Sequence, residues 1–566
     1  MIFHPPSWLP AVPQDLSTVG TVGDFVLRGP PSTASKPTPD APVLVSADTQ
    51  KTKTPQQLAE DVEILATALA HDLQWSPNVV PVAQDGRVIA ILSENTIDYL
   101  TCCWAIHRLG GTVLLLHGST SPAENAKHLE RSNCNILVVS PALLESARAA
   151  TSGKSDARLY LSESVANDGS DHGIKTIGEL LALGKTLGLN SLPTLNWTAE
   201  EAGDSIAYLC PTSGTSGVQK LARLSHRSII ANVLQLGTLE SLVRRRDVDV
   251  VLGVTPLSHV QGIGASHASI YMRDRLILHS KFDMKEAMAS IQTHRINRLY
   301  LVPSVLAALI GNPFLFKVFD LSSVDSVYVG AGTVSGELHA KTKAAQPNWT
   351  VVTGYGMTES PAAVAMSSPH EYLPGSVGIL LPLYQARLVR EDGSEVKAFG
   401  EAGELLLSSP NQANGYHGDA EGSAATFRDG WLHTGDVAVF RQSPKGDSHL
   451  FIVDRLRDMI KVKGMQVSPI AIEDCLRQHP GVADVAVIGV PDDLAGERPK
   501  AFVVPSKPPV QGEDSDETEE LFDLWDEHVQ SHLTEPHWLR GRYELLEALP
   551  RNMSGKVTKG VLRART

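Results

Sequence analysis

Four stretches, far apart along the chain, carry residue types suited to nucleotide chemistry. The first is YLCPTSGTSGVQKLARLSH, from Tyr208 to His226, in which Thr212, Ser213, Gly214, Thr215, Ser216 and Gly217 stand in succession and Lys220 follows. Glycines let a backbone turn with its N–H groups pointing inward, and hydroxyls add donors, so such a concavity suits polyphosphate oxygens. Taken alone, a Ser/Thr/Gly run is more often a plain loop. The second is TGYGMTES at 353–360. Tyr355, between Gly354 and Gly356, has a ring that can lie against a flat base. Thr358 offers a hydroxyl and Glu359 a carboxylate, and magnesium in nucleotide sites takes one or two carboxylates plus substrate phosphates. The plainer reading is a tight turn with a solvated glutamate.

The third stretch is DGWLHTGDVAVF at 429–440, followed by FIVDRLRDMIKVKGMQV at 451–467. Asp436, after a glycine and at the start of a strand, has a carboxylate able to accept both hydroxyls of a ribose, and Arg455 can donate to the same sugar. A Gly-Asp pair more commonly caps its own turn. The fourth is LPRNMSGKVTKGVLR at 549–563. Lys556 stands on a polar turn before the last helix, where a movable ammonium can neutralise charge growing on a transferring phosphate. The alternative is a solvated surface lysine.

Other patterns fail. A Walker loop needs G-x-x-x-x-G-K-[ST], but Lys220 is followed by Leu221 and no hydroxyl residue is there to hold magnesium. GAGTVS at 330–335 nearly matches a dinucleotide fingerprint, but Ser335 replaces its third glycine and no acidic residue follows at the usual distance. His259, His267 and His279 share a region without carboxylate or H-E-x-x-H spacing, which argues against zinc there. The five cysteines, Cys102, Cys103, Cys134, Cys210 and Cys475, form no C-x-x-C pair and no metal spacing.

The elements that must hold these stretches read as α/β. PQQLAEDVEILATALAHDL, with Leu58, Val62, Leu65 and Leu69 at helical spacing, predicts an amphipathic helix. RVIAILS, DVVLGVTP, NRLYLVP and SVDSVYVGAG are short apolar strands alternating with helical stretches, the pattern of βαβ units and parallel sheets. Past residue 375 the texture becomes β-rich, with short strands broken by Gly, Asp and Pro. After Arg457 a small α+β pattern resumes. The expected architecture is a large N-terminal domain of βαβ-type sheets plus a β-rich subdomain, residues 1–456, and a small mobile α+β domain, residues 457–566. QGEDSDETEE at 511–520, with six acids, reads as a solvated loop.

Composition narrows the function classes. A 566-residue chain has enough length for a large core. Its net charge of -14, without a basic stripe, argues against a nucleic-acid platform. The sparse, odd set of cysteines suggests reduced thiols and a cytoplasmic protein. No secretory signal is visible at the start, no apolar run reaches membrane-helix length, and LRART is not a Ser-Lys-Leu peroxisomal address.

Together and in this order, TSGTSG, GYGMTE, GELLL, WLHTGD, DRLRDMIKVKG and SGK resemble the adenylate-forming enzymes: acyl- and aryl-CoA ligases, luciferase-like enzymes and the adenylation domains of peptide synthetases. The resemblance covers about Ala41 to Arg563. It implies that a carboxylic acid, ATP and Mg2+ yield an acyl-adenylate and pyrophosphate, after which a thiol, usually that of coenzyme A, takes the acyl group. It further implies that residues 212–217 with Lys220 cover the phosphates. Thr358 would bond the α-phosphate, Glu359 would hold magnesium, and Tyr355 with Gly330, Ala331 and Gly332 would flank adenine. Asp436 and Arg455 would grip the ribose. Lys556 would bridge the carboxylate and the α-phosphate, with Lys461 and Gln466 as supporting contacts. His259 would stand between acyl pocket and nucleotide. Arg457 is the hinge position, and a rotation there would replace Lys556 with KVKG, including Lys463 and Gly464, for the thiol step.

The resemblance has departures. Where the family loop continues Pro-Lys-Gly, this chain has Gln219, Lys220 and Leu221, losing a rigid φ and a glycine's freedom. The implied acyl pocket holds Val260, Gln261, Gly264, Ala331, Gly332, Gly354, Pro361, Ala362 and Ala363, small and largely apolar, which suits an apolar acyl or aryl group. The expected partners are a small-molecule acid and either coenzyme A or a separate carrier protein, since no carrier-type serine motif ends the chain. A non-catalytic nucleotide-binding relative is the alternative from another class, against which the retention of Thr358, Glu359, Asp436, Arg455 and Lys556 argues.

Overall fold

The computed structural model describes the chain apart from residues 14–15, 17–19, 31–40, 77–86, 164–172, 189–191, 194, 196, 213–218, 331, 333, 464, 508–515 and 552–556. Two sheets with parallel centres build the larger part. One has six strands in the order Arg158–Leu161, Ile136–Val139, Val88–Leu92, Thr112–Leu116, Ile206–Pro211, Leu221–Ser225, and only the last pair is antiparallel. Val88–Leu92 and Thr112–Leu116 are buried at every position, as expected of strands covered on both faces.

The second sheet has nine strands. Ser326–Val329, Arg298–Leu301, Val250–Gly253 and Arg275–Leu278 run parallel at its centre, and antiparallel strands close both ends. The helix Pro55–Leu73 follows its sequence pattern: Thr54 and Gln57 close a capping box, Pro55 opens the first turn, and Leu58, Val62, Leu65 and Leu69 are buried.

The β-rich region expected past residue 375 is an antiparallel five-stranded sheet of Gln385–Val389, Ala402–Ser408, Phe427–Arg428, Trp431–Gln442 and Ser448–Arg455. Asp436 differs from its sequence reading in one respect. The strand that carries it begins at Trp431 rather than at Asp436. Gly435, at φ +67°, sits where the register with Ala402–Ser408 shifts, so Asp436 leaves a bulge rather than a strand start.

The turn Leu456–Asp458 leads to a separate five-stranded sheet, whose longest strands are Val482–Asp492 and Gly496–Pro505. Helices Pro469–Arg477 and Asp516–His532 pack on it around Ile472, Leu476, Trp525 and Val529. The acidic run therefore is not loop throughout: residues 516–520 open a 17-residue helix. Acidic side chains favour a helix N-terminus, and this helix buries Trp525 and Val529 on its other face. No helix among the described residues is long and apolar enough to cross a membrane.

Candidate active site

One cleft of about 1240 Å³ gathers residues from all three sheets of the larger part. Its floor is made by the segments that leave the parallel strands. Ser93–Asn95 come after Val88–Leu92, His117–Thr120 after Thr112–Leu116, Val254–Pro256 after Val250–Gly253, Val302 after Arg298–Leu301 and Gly330 after Ser326–Val329. These are carboxyl ends, where open α/β sheets leave their crevices for ligands.

The glycine- and hydroxyl-rich loop is mounted on a β-hairpin. Pro211 pairs with Leu221, and the backbones of Thr212 and Lys220 bond, the Thr212 N–H donating to the Lys220 carbonyl at 2.8 Å. Ser213, Gly214, Thr215, Ser216 and Gly217 lie outside the described residues. The two departures in this stretch have local partners. The Gln219 carbonyl accepts from Arg131 at 2.5 Å and its Oε1 meets His128 Nε2 at 2.9 Å, while Leu221 is buried as the first residue of its strand. The hairpin stem is thus tied to the neighbouring helix Pro122–Arg131 with Gln219 standing where the family has proline.

Lys220 lines the cleft and pairs with Asp419 at 3.0 Å, its ammonium lying 4.5 Å from the centre of the Tyr416 ring. A backbone bond from Gly422, together with Lys220, holds the Asp419 carboxyl below the usual carboxylate range. Tyr416 also donates its hydroxyl to Glu359 Oε1 at 2.8 Å. Burial beside Glu359 pushes the Tyr416 phenol well up, so it remains a donor.

Thr358 and Glu359 form a two-residue turn between the antiparallel strands Thr350–Met357 and Ser360–Met366, and both line the cleft. The turn is held from behind. A side chain at Gly356 would meet the Ala362 carbonyl at 2.0 Å, and Ala362 itself adopts φ +59°. Only glycine permits that approach, so GYGMTE is shaped by packing as well as by any ligand.

Tyr355 donates to Asp436 Oδ2, and Arg455, opposite Asp436 across the strand pair, meets Oδ1 at 2.7 Å. Burial and then Asp436 push the Tyr355 phenol well above its ordinary value. Burial opposes the Arg455 charge, but Asp436 beside it raises the guanidinium pKa. Arg455 lines the cleft, whereas Tyr355 and Asp436 lie behind that surface. Of the other expected residues, His259, Val260, Gln261, Gly330, Gly354, Gly356 and Ala362 line it. Gly264 instead packs on Ala362, where an added Cβ would come within 2.7 Å of the alanine methyl, and its neighbour Ala265 reaches the cleft. Gly332 is outside the lining, and Ala331 is not described.

The small-domain residues stand elsewhere. Lys461 and Gln466 both reach Glu391, at 2.7 and 3.1 Å, and Lys463 pairs with Glu535 at 3.3 Å. Arg457 lies in the turn, 3.9 Å from Asp458, which also takes Arg563 at 2.6 Å. Lys556 and Gly464 lie outside the described residues. Among described residues the cleft lining ends at Leu456.

Sequence reading missed several lining residues. Leu236, Ala265, Tyr300, Tyr328, Val352 and Met366 add an apolar, aromatic wall, with the two tyrosine rings 5.0 Å apart. His117 stacks obliquely on His259 at 4.9 Å. His433 lies between Arg428 and Glu404, at 2.9 and 3.3 Å. Apart from His433, which stands in WLHTGD, none of these lies in a motif, and they come from elements that meet only in the folded chain.

The sequence and the fold match known proteins. The family model of AMP-binding enzymes matches residues 32–417, and that of the AMP-binding enzyme C-terminal domain matches 471–556. The acyl-CoA ligase easD of Emericella nidulans is 40% identical, with 100% of each chain covered. The acyl-CoA ligase gloD of Glarea lozoyensis is 41% identical, covering 100% of this chain and 99% of its own. Among solved structures, the anthranilate CoA ligase AuaEII in complex with anthranoyl-AMP superposes with a TM-score of 0.80 at 21% identity, over 98% of this chain and 99% of its own. ATP-bound MatB from Rhodopseudomonas palustris gives 0.79 at 24%, over 96% and 99%. The chain belongs to the AMP-binding, adenylate-forming enzymes, in their acyl-CoA ligase branch.

Proposed function

We propose that this protein converts an apolar or aryl carboxylic acid into its coenzyme A thioester through an acyl-adenylate. The observation that carries this reading is the meeting, in one cleft, of the Thr358–Glu359 turn, Lys220 and Arg455 with a wall of Leu236, Ala265, Tyr300, Tyr328, Val352 and Met366. None of these six residues is cationic, although Lys281 and Arg428 also line the cleft among the described residues.

In the first step a carboxylate oxygen bonds to the α-phosphorus of ATP and the bond to pyrophosphate breaks. Thr358 donates to the α-phosphate, and Lys220 with the 212–217 loop neutralises the departing pyrophosphate. Asp436 and Arg455 take the ribose, Asp436 exchanging the Tyr355 hydroxyl for sugar hydroxyls. Lys556 bridges carboxylate and α-phosphate. Glu359 suits magnesium, because only one of its carboxylate oxygens is engaged among the described residues. Bound there, the ion would neutralise phosphate charge. In the second step the thiol sulfur bonds to the acyl carbon and AMP leaves.

The small domain, residues 457–566, turns about Arg457 between the steps. Lys461 and Gln466 are held to Glu391 only through exposed contacts, which are weak, so releasing them costs little. Rotation withdraws Lys556 and brings Lys463 and Gly464 toward the thiol. The acceptor is coenzyme A rather than a carrier protein, in keeping with the full-length acyl-CoA ligases that this chain is similar to.

Pyrophosphate release screened over fatty, aromatic and polyketide-like acids, with and without coenzyme A, tests the reading. Acid-dependent release with acyl-CoA formation is expected. Release without any acyl-CoA product would move the acceptor to a carrier protein. Lys556→Ala should abolish acid-dependent ATP–pyrophosphate exchange while ATP binding survives, and wild-type exchange in that variant refutes the assigned role.

A further inference from the structure

The small domain brings together three metal-ligating side chains that take no part in the cleft. Cys475 stands in the last turn of the helix Pro469–Arg477, and His528 and His532, four residues apart and so on one face, stand in the last turns of Asp516–His532. One ligand atom from each lies within 4.8 Å of the other two. A tetrahedral zinc ion with thiolate and imidazole ligands places its donors about 3.3–3.8 Å apart, so the three side chains must draw together by up to about 1.5 Å to hold one.

The hydrogen bonds fix which ring nitrogens are available. A carbonyl oxygen only accepts, so the His532 Nδ1 that meets the His528 carbonyl at 2.8 Å carries a proton, leaving Nε2 with its lone pair. The His528 Nε2 that meets the Cys475 carbonyl at 3.0 Å likewise carries a proton, leaving Nδ1. Imidazoles whose second nitrogen donates to a carbonyl are oriented as metal ligands usually are. His479, whose ring centre is 5.4 Å from that of His528, differs: its Nδ1 accepts the Gly481 N–H at 3.1 Å, so it stands beside the set as a neighbour. Cys475 is buried and His532 exposed, which leaves a solvent-facing side for a water as fourth ligand.

We propose that Cys475, His528 and His532 form a zinc site that clasps the helix Asp516–His532 to the helix Pro469–Arg477. On binding, the Cys475 thiol gives its proton to solvent and its sulfur bonds to the metal. A thiolate with two imidazoles selects zinc over magnesium, whereas Glu359 offers the hard oxygen that magnesium takes. The two sites therefore do not compete for one ion.

Metal-free, full-length protein titrated with Co2+ and then Zn2+, in excess magnesium and without nucleotide, tests this. One cobalt per chain is expected, with the d–d bands of a tetrahedral site and a thiolate charge-transfer band, both displaced by zinc. Zinc should raise the thermal midpoint of the wild type. Cys475→Ser should remove the charge-transfer band. His532→Gln, on the exposed face, should weaken cobalt binding by about 100-fold or more, beyond the usual effect of an outer partner. Should Cys475→Ser fail to fold, His532→Gln decides alone. No stoichiometric cobalt spectrum in the wild type, or wild-type affinity in His532→Gln, overturns the proposal.

Discussion

Tyr416 sits between Lys220 and Glu359, the groups proposed to meet phosphate and metal. Its hydroxyl holds Glu359 at 2.8 Å and its ring lies 4.5 Å from the Lys220 ammonium. Tyr416→Phe keeps the ring and removes only the donor. A hydrogen bond to a charged group contributes about 1.5–3 kcal/mol, so the magnesium concentration for half-maximal adenylation should rise about tenfold or more while the KM for the acid stays put. An unchanged magnesium requirement would detach Tyr416 from the metal residue. Asp436→Asn acts on the other flank. It leaves Arg455 and Tyr355 without their carboxylate, and the KM for ATP should rise at least about tenfold, in line with the loss of charge-assisted bonds. An ATP KM at the wild-type value would remove Asp436 from nucleotide binding.

The strand Arg298–Leu301 carries Tyr300 to the cleft, and its first residue anchors it. Arg298 is buried among Glu240 at 2.7 Å, Asp249 and Asp274 at 3.4 Å, with Arg244 also paired to Asp274, and Tyr300 donates to the other oxygen of Glu240 at 2.6 Å. This network ties the strand to the helix His226–Val243, which supplies Leu236 to the same wall. Removing one partner of a buried ionic group strands the others, so Arg298→Met should lower stability by about 3–5 kcal/mol. Chemical denaturation measures it, and a loss under about 1 kcal/mol would show that water or relaxation screens the carboxylates. The hairpin Ile206–Pro211 and Leu221–Ser225 makes a second point at this scale. Its stem is set by pairing and by Arg131 and His128, so Gln219 and Leu221 in place of the family's proline and glycine sit in a stem that other residues already hold.

Across the whole molecule, six buried histidines among the described residues have no place in the cleft, and three of them, His107, His226 and His267, are the most strongly shifted. His107 and His226 lie 4.7 Å apart, and the Trp104 and Tyr208 donors meet His267 at 3.1 and 3.2 Å. Burial lowers the pKa of His107 to about 4, that of His267 to about 3, and that of His226 well below its ordinary value. The unfolded chain protonates these rings below about pH 6.5, while the native chain does not until far lower. The unfolded state therefore takes up more protons as pH falls from about 6.5 toward 4, and native stability declines across that window by about 1.4 kcal/mol per pH unit for each such histidine. Above that window they add no pH dependence. A urea midpoint that falls steadily from about pH 7 to 5 is expected, and a flat profile would show that these rings are not neutral in the core.

The motifs, their order and the alternation of strands and helices were legible in the residues, because local periodicity and turn chemistry act over a few positions. So was membership in the adenylate-forming family, since TSGTSG, GYGMTE and WLHTGD stand in order along one chain. The aromatic wall, the Tyr416–Glu359–Lys220 arrangement and the cysteine–histidine cluster were not legible. Tyr300, Leu236 and Met366 share no spacing, and Cys475 and His528 are brought together only when two helices pack on one sheet. Asp436 shows the same limit: Arg455 faces it across one strand pair, as a shared ribose requires, but its pairing with Tyr355 needs a hairpin of another sheet to meet it. Sequence determined the element types and the chemical groups available. Tertiary structure alone decided which of them share one cleft, because side chains distant in the chain meet only where sheet order and helix packing bring them, at the carboxyl ends of the parallel strands.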